Sequence, residues 1–349
     1  MFVFNKKDAR GNATYERIMA ANHKVVNELR SDPRFALNAQ MFANMGLKPN
    51  DLYREFDNTT VREMHLDEGE AILTRLMPLA RPLAIGRTVL ANARATGAGN
   101  FSQSMSGEVS TAADAVNYDA SKCITPVNVT PFKRNWREGE MLSQEMFDDA
   151  VVMHAEHVRA HRKGIIGSFM DGHKDADGNF LKEDGADWQG VRADSRVYQY
   201  DLTTASIDFS SASATGKEIR DAWIAMAKVR NVDNAVGMPA VYFVSWEIFY
   251  NFARLYSDAY GSGSILANLL TVPGTAEIVP SSVLTGNQVL SMVMSSTFIQ
   301  PVVGMQVSTI AKSRPEWNSP FAFDIVSAIG WNIKNDHGDA NKSVMYAAS

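Results

Sequence analysis

The spacing of apolar positions changes several times along the chain, and each change predicts an element. Between Tyr15 and Leu29, Ile18, Met19, Val25, Val26 and Leu29 fit one helix. Asp32-Pro33 and Pro49-Asn50 then break the segment. LAIGRTVLANA (83–93) reads as an ascending strand and CITPVNVTPF (123–132) as a descending one. Between them, RATGAGNFSQSMSGEVSTAADAVN (94–117) is rich in Gly, Ser, Thr and Ala and has too few large apolar groups to build a core. Residues 83–135 are therefore expected to form one very long hairpin. Its tip is either a mobile surface loop or an arm ordered only on a neighbouring subunit.

Residues 139–166 carry the strongest helix signal. Leu142, Met146, Ala150, Met153 and His157 form one stripe, with Ser143 as the expected N-cap. Glu140, Glu145, Asp148 and Asp149 near the start, and Arg159, Arg162 and Lys163 near the end, complement the helix dipole. Gly164 and Gly167 are expected to end it. Asp177-Gly178-Asn179 reads as a hairpin turn. Thr215 and Glu218 have capping-box spacing before a helix that buries Ile219, Trp223, Met226 and Ala227. PAVYFVS (239–245) is a buried-strand run, and Ser245 caps a helix carrying Ile248, Phe249, Phe252, Leu255 and Tyr256. A short helix follows at Ile265–Leu270, and from Glu277 onward strands dominate. The order is α+β, without regular strand–helix alternation.

Composition narrows the class. The 349 residues are 45% hydrophobic and 21% charged, enough apolar surface for a sizeable core and about two domains. The net charge of −5 excludes the overall basic excess of a nucleic-acid binder, although Lys6, Lys7 and Arg10 make the N-terminal segment locally positive. The single cysteine, Cys123, excludes an internal disulfide and any multi-cysteine metal site; it is expected to be a buried thiol. The N-terminal apolar run is too short, and its charges too late, for a signal peptide. The uncharged stretch from Ile278 to Ala311 contains Pro280, Pro301, Gly304 and several amides, which suits buried strands and turns better than a membrane helix.

Candidate chemistry is sparse. His154, His157 and His161 fall near one helix face, a spacing open to zinc or nickel, but there is no HExxH and no evident fourth ligand. They define one functional alternative, a small metal-dependent enzyme. His173 to Asp184 resembles a calcium loop with Asp175, Asp177, Gly178 and Asp184 in register, yet His173 stands where an oxygen ligand belongs and no helix frames it; a solvated turn is the preferred reading. Nucleophile elbows and phosphate-binding glycine loops are absent, so no catalytic residue, cofactor or metal is assigned.

The order of parts is distinctive: arm, long Gly/Ser-tipped hairpin, one long helix, Asp-Gly turn, helix–strand–helix, closing strands. It resembles the major capsid proteins of tailed bacteriophages, with the Hong Kong 97 fold, and the related encapsulin shells. Residues 83–135 resemble the family's extended loop, and 124–172 a strand running into the spine helix. GKEIRDAWIAMAKVR followed by GMPAVYFVSWEIFYNFARL (216–255) resembles the axial domain, and FDIVSAIGWNIKNDHGDANKSVMYA (323–347) the closing strands of the peripheral domain.

The resemblance implies an N-terminal arm (1–60), a peripheral segment (61–82), the extended loop (83–135), a peripheral domain with spine helix (136–202), an axial domain (203–320) and a return to the peripheral domain (321–349). It implies a non-enzymatic subunit of an icosahedral shell, a virion component assembled in the host cytoplasm around double-stranded DNA without sequence recognition and without membrane. The implied partners are further copies in pentamers and hexamers, a separate scaffolding protein, a portal protein and, in some relatives, a decoration protein. Little or no N-terminal processing is expected, because only some 60 residues precede the first recognisable element. Phe101, Met105 and Val109 would anchor the loop on neighbours, and Lys6, Lys7 and Arg10 would face inward. Some relatives join a Lys to an Asn covalently; Lys122 and Asn332 or Asn335 lie in suitable regions, but no motif pairs them. An encapsulin-type compartment is the nearest alternative.

Overall fold

The computed structural model describes residues 68–98, 105, 115–137, 149–257 and 263–349, with residues 20, 23 and 24. The chain divides into two compact units, Met1–Glu63 and Met64–Ser349, and the description below concerns the second. The Ser143 cap lies outside the described residues, as does most of the helix expected at 15–29.

The first part runs α1 (Glu70–Leu76), β1 (Arg81–Pro82), β2 (Val89–Ala95), β3 (Tyr118–Ile124), β4 (Val127–Arg134) and α2 (Asp149–Asp171). Two short strands, β5 (Lys182–Glu183) and β6 (Ala186–Asp187), then precede β7 (Tyr198–Asp201), α3 (Gly216–Lys228), β8 (Ala240–Val244), α4 (Trp246–Phe252) and α5 (Ile265–Leu270). The chain closes with β9 (Thr275–Pro280), β10 (Gln288–Met292), β11 (Ile299–Ala311), β12 (Phe321–Ile333) and β13 (Val344–Ala348).

These strands make a five-stranded sheet in the order β7-β13-β10-β8-β9 and a four-stranded sheet in the order β1-β11-β12-β4. In the five-stranded sheet, Val241 and Phe243 point into a core shared with α1 and α2, through Ile72, Leu76, Ile165 and Phe169. Ala240, Tyr242 and Val244 point the other way, into a core with α3, α4 and α5 that contains Trp223, Ile248 and Leu269. Burial on both faces is why β8 reads as a continuous apolar run and not as an alternating one. α3 begins with the expected capping box: Glu218 N–H donates to the Thr215 hydroxyl, and Thr215 N–H donates to the Glu218 carboxylate.

The four-stranded sheet is dominated by β11 and β12, thirteen residues each, paired antiparallel with bulges near Met305. α2 lies on one face of this sheet. His161 bridges Thr130 Oγ1 on β4 and Ser327 Oγ on β12, each at 2.8 Å. Phe132 stacks on Phe323 at 5.1 Å, and Phe169 packs on Trp331 at 4.8 Å. Of the expected stripe, Leu142 and Met146 lie outside the described residues; past His157 the helix meets the sheet through His161 and Phe169.

Three expectations change. The helix passes through Gly164 and Gly167 and ends at Asp171, where Gly172 adopts φ +90°. A Cβ at Gly172 would press on the Trp188 carbonyl at 2.7 Å, so the backbone there requires glycine. Arg159, Arg162 and Lys163 are consequently not in the last turn; they reach sideways to Glu68 and Glu70 beside and on α1. Finally, the expected descending strand is two strands. Residues 118–124 pair with β2, whereas 127–134 pair with β12.

Candidate functional site

The extended hairpin is the feature that its own sheet does not account for. β2 and β3 pair in register from Val89↔Ile124 to Ala95↔Tyr118, forming a separate two-stranded ribbon. A two-stranded ribbon is marginal alone in water, so its stem needs anchors. Arg94 and Asp119 are direct cross-strand partners, with contacts of 2.7 and 2.8 Å. Arg94 also reaches Asp339 at 2.6 Å, while Asp119 accepts the Gly338 N–H.

On the stem's other strand positions, Lys122 Nζ donates to the Asp184 carboxylate at 2.5 Å and Thr88 Oγ1 to Glu183, joining the ribbon to β5 and the turn after it. Asn92 donates to Asn332 on β12 at 2.9 Å. Arg196 binds Asp194 at 2.7 Å and donates to the Lys122 carbonyl.

The electrostatics follow from these pairings. The hydrogen bond from Arg94 is the main reason that Asp119 is held below the usual carboxylate range. Burial opposes the charge on Arg94, but Asp119 and Asp339 more than offset it and raise its pKa. Burial likewise works against ionised Asp194, and Arg196 together with backbone N–H groups prevails, so its pKa is lowered. Arg94, Lys122, Asp184, Asp194, Arg196 and Asp339 border one polar cleft of about 360 Å³. Its cations are engaged with these carboxylates, so the cleft serves as the ribbon's attachment.

Beneath the stem, Leu90 and Cys123 pack with Val302 in a small apolar cluster. Cys123 is buried as expected, and burial pushes its thiol up to about 12. Here the Ile124 carbonyl closes directly onto Gly330 of β12, where any Cβ would collide with it. Replacing Gly330 with valine is expected to lift the stem from β12 and cost about 1–3 kcal/mol. Hydrogen exchange at Leu90 and Cys123 should accelerate, while β8 amides stay protected; unchanged exchange at the stem would contradict this role.

The other expected site residues fall as follows. Met105 is fully exposed. Phe101, Val109, Lys6, Lys7 and Arg10 lie outside the described residues. The histidine metal alternative is corrected: His154 Nε2 meets Thr309 Oγ1 at 2.9 Å, His157 Nδ1 donates to the Met153 carbonyl, and both nitrogens of His161 are taken by Thr130 and Ser327. The three rings serve packing between α2 and the sheet, and no metal-holding cluster occurs among the described residues.

The Asp175 carboxylate likewise accepts the N–H groups of Asp177 and Asn179, which builds the turn at Gly178. Lys122, Asn332 and Asn335 are engaged with Asp184, Asn92 and the Arg196 carbonyl respectively. Sequence reasoning missed the Arg94–Asp119–Asp339 anchor; knowing the ribbon's register would have exposed its first pair. Among the described residues no helix is long and apolar enough to cross a membrane.

A long ribbon on a four-stranded sheet, a spine helix beneath that sheet and a second sheet covered by helices define the Hong Kong 97 type of capsid fold. The chain superimposes on the capsid of Myoviridae phage XM1 with a TM-score of 0.66 at 10% identity, covering 86% of this chain and 98% of that one. The capsid of a native GTA particle gives a TM-score of 0.57 at 10% identity, covering 86% and 97%. The virus-like particle from Pyrococcus furiosus gives 0.53 at 12% identity, covering 79% and 92%. By sequence, the chain belongs to the family of unknown function DUF6260, whose pattern matches residues 38–347. No curated protein matches the chain.

Proposed function

We propose that this protein is a major capsid protein whose copies close into an icosahedral shell around the genome of a tailed double-stranded DNA phage. The observation that carries the reading is the ribbon, a separate pair of strands tied to its own subunit by ion pairs at the stem, with a fully exposed methionine, Met105, in the segment that joins them. Such an element gains its apolar burial from a neighbour. The similarity in fold to capsids and a virus-like particle supports the same reading.

In this reading the β11–β12 sheet and α2 form the peripheral domain, and the five-stranded sheet with α3 to α5 forms the axial domain. The expected segments are 1–60 for the arm, 83–135 for the extended loop, 136–202 and 321–349 for the peripheral domain with 61–82, and 203–320 for the axial domain; by sheet membership, β11 moves from the axial span to the peripheral sheet, and β7 and β13 move from the peripheral spans to the axial sheet. Identical copies meet in heterologous contacts that close into rings of five and six. Each contact is modest, and their number gives the shell its stability. A separate scaffolding protein and a portal complete the assembly, and the arm's Lys6, Lys7 and Arg10 face inward toward DNA or scaffold.

Negative-stain electron microscopy of the chain, expressed alone and with the products of adjacent genes, is expected to show closed shells, tubes or free rings. Deleting residues 97–110 is expected to leave a folded subunit that does not assemble. A full-length chain that stays monomeric under all these conditions would overturn the reading. Shells filled with protein in place of nucleic acid would move it to the encapsulin type.

A further inference from the structure

Beside the ribbon lies a second cavity, of about 280 Å³. β2 contributes Asn92 and Arg94 to its wall, the turn before β11 contributes Thr297, and the segment after β12 contributes Lys334, Asp336 and His337. Two of these charged groups are already engaged. Arg94 is bound by Asp119 and Asp339. The carboxylate of Asp336 accepts from Asn341 at both oxygens, from the backbone N–H at 2.8 Å and from Nδ2 at 2.6 Å. His337 lies near Asp119 and helps to hold that carboxyl low.

Lys334 differs from these. Its Nζ donates to the Ser296 carbonyl at 2.8 Å and to Gln300 Oε1 at 2.7 Å, and both acceptors are neutral. An ammonium has three protons, so one is left over. The charge beside Lys334 is a second cation, Arg81, and burial together with Arg81 holds the lysine's pKa below its usual range. Neither cation forms an ion pair among the described residues. Two like charges side by side without a counter-ion repel one another and attract an anion.

The surplus of donors continues behind the wall. Asn92 donates to Asn332 Oδ1 at 2.9 Å. Asn332 is 1% exposed, and its own Nδ2 is buried without a partner. A buried donor left unpaired is costly, and an acceptor brought close to it relieves that cost.

We propose that this cavity binds a small tetrahedral oxyanion, phosphate or sulfate, on the Lys334 ammonium, with hydrogen bonds from Thr297, Asn92 and His337. Four oxygens can be shared among donors from three elements, whereas a carboxylate offers two oxygens in one plane. The volume admits the anion with bridging waters. Bound there, the anion ties β2 to the segment after β12 and adds to the hold of Arg94 on the ribbon. The site is complete within one chain, so the inference goes beyond the shell reading and does not depend on assembly.

The test titrates inorganic phosphate into the full-length chain in phosphate-free buffer, with sodium chloride holding the ionic strength constant. Calorimetry is expected to show one saturable site per chain, and the melting midpoint should rise with phosphate and then level off. Sulfate should do the same. Hydrogen exchange should slow at residues 92–95 and 334–338 when phosphate is present, with β8 unchanged.

Lys334→Gln keeps a donor for Ser296 and Gln300 but removes the charge, and is expected to weaken phosphate binding at least about tenfold. Lys334→Arg should restore most of it. Arg81→Gln removes the neighbouring charge from outside the cavity wall and should weaken binding about threefold. If Lys334→Gln melts well below wild type without phosphate, Arg81→Gln becomes the deciding variant, and unchanged binding there would overturn the proposal. Absence of saturable binding up to about 10 mM phosphate would also overturn it. Equal binding by Lys334→Gln would do so as well, as would sodium acetate matching phosphate, since the site would then take a carboxylate. None of these readouts involves particles, so failure here leaves the shell reading standing.

Discussion

Replacing Arg230 with methionine is expected to destabilise the protein by on the order of 3 kcal/mol, one of the two largest effects predicted for a single position. The guanidinium is 1% exposed and sits where α3 runs into a π-helical turn, Val229–Asp233. Its hydrogen-bond partners are all neutral: Tyr242 Oη at 2.9 Å, Ser291 Oγ at 3.2 Å, the Gly274 carbonyl at 2.5 Å and Asn231 Oδ1 at 3.3 Å. It also lies over the Tyr242 ring, 5.4 Å from the centroid. One side chain thereby ties α3 to β8, β10 and the start of β9.

Methionine fills much of the volume but removes the charged donor shared by the Tyr242 and Ser291 hydroxyls and one of the two donors to the Gly274 carbonyl, which keeps the Ala240 N–H. Lysine keeps the charge but cannot fork to acceptors on both sides. Urea unfolding followed by near-ultraviolet circular dichroism would measure the loss, and a change below about 1 kcal/mol would show that the neutral acceptors find other partners.

The second large effect is with acid. His173 is 2% exposed, its Nε2 is buried without a hydrogen-bond partner, and burial pushes its pKa down to about 4. His161, between Thr130 and Ser327, is also lowered by burial. In the folded chain His173 stays neutral down to about pH 4 and burial disfavours protonation of His161, whereas in the unfolded chain both rings take up protons from about pH 6.5 downward. Between those values the unfolded state binds more protons, so stability rises with pH. The contribution is complete above about pH 6.5 and is lost as the pH falls toward 4.

For His173 the full span is worth about 3 kcal/mol at roughly 1.4 kcal/mol per unit. Urea midpoints measured from pH 7.5 to 4 should fall with acid, and His173→Leu should flatten the lower part of that curve. His161→Gln should flatten part of it and keep one of the two hydroxyl contacts. A His173→Leu curve parallel to wild type would show that the acid sensitivity comes from other groups.

Much of the helical face of the five-stranded sheet was readable in advance. Thr215 and Glu218 announce α3, its apolar positions are the ones buried, and PAVYFVS becomes β8, because cap chemistry and burial on two faces leave local marks. What stayed hidden was decided by contacts distant in sequence. Gly164 and Gly167 looked like a helix end, but tertiary packing of Ile165, Ile166 and Phe169 carries α2 past them to Gly172.

Arg230 looked like one more basic residue at a helix end; nothing local shows that Tyr242, Ser291 and Gly274 will surround it. The run 123–132 looked like one strand because both halves are β-prone; the switch from β3 to β4 depends on what each half meets. The ribbon's existence was legible, whereas the Arg94 anchor required its register. The His154, His157 and His161 stripe was real as a pattern, but the hydroxyls and ring that meet it come from the facing sheet.

The closing strands also part company: β12 lies inside the four-stranded sheet, while β13 inserts between β7 and β10 of the other. Met345 pairs with Tyr198, across a stretch of about 150 residues, so the sheet joins segments made far apart in time. As the ribosome delivers the chain, β7, β8, β9 and β10 all emerge before the strand that must separate two of them. Until it arrives, β7 and β10 present open edges. A nascent or prematurely ended chain therefore cannot finish this sheet, and its unpaired edges expose it to chaperones and proteases. In a shell built from many identical copies, vectorial synthesis would then act as an inspector, admitting only chains translated through β13.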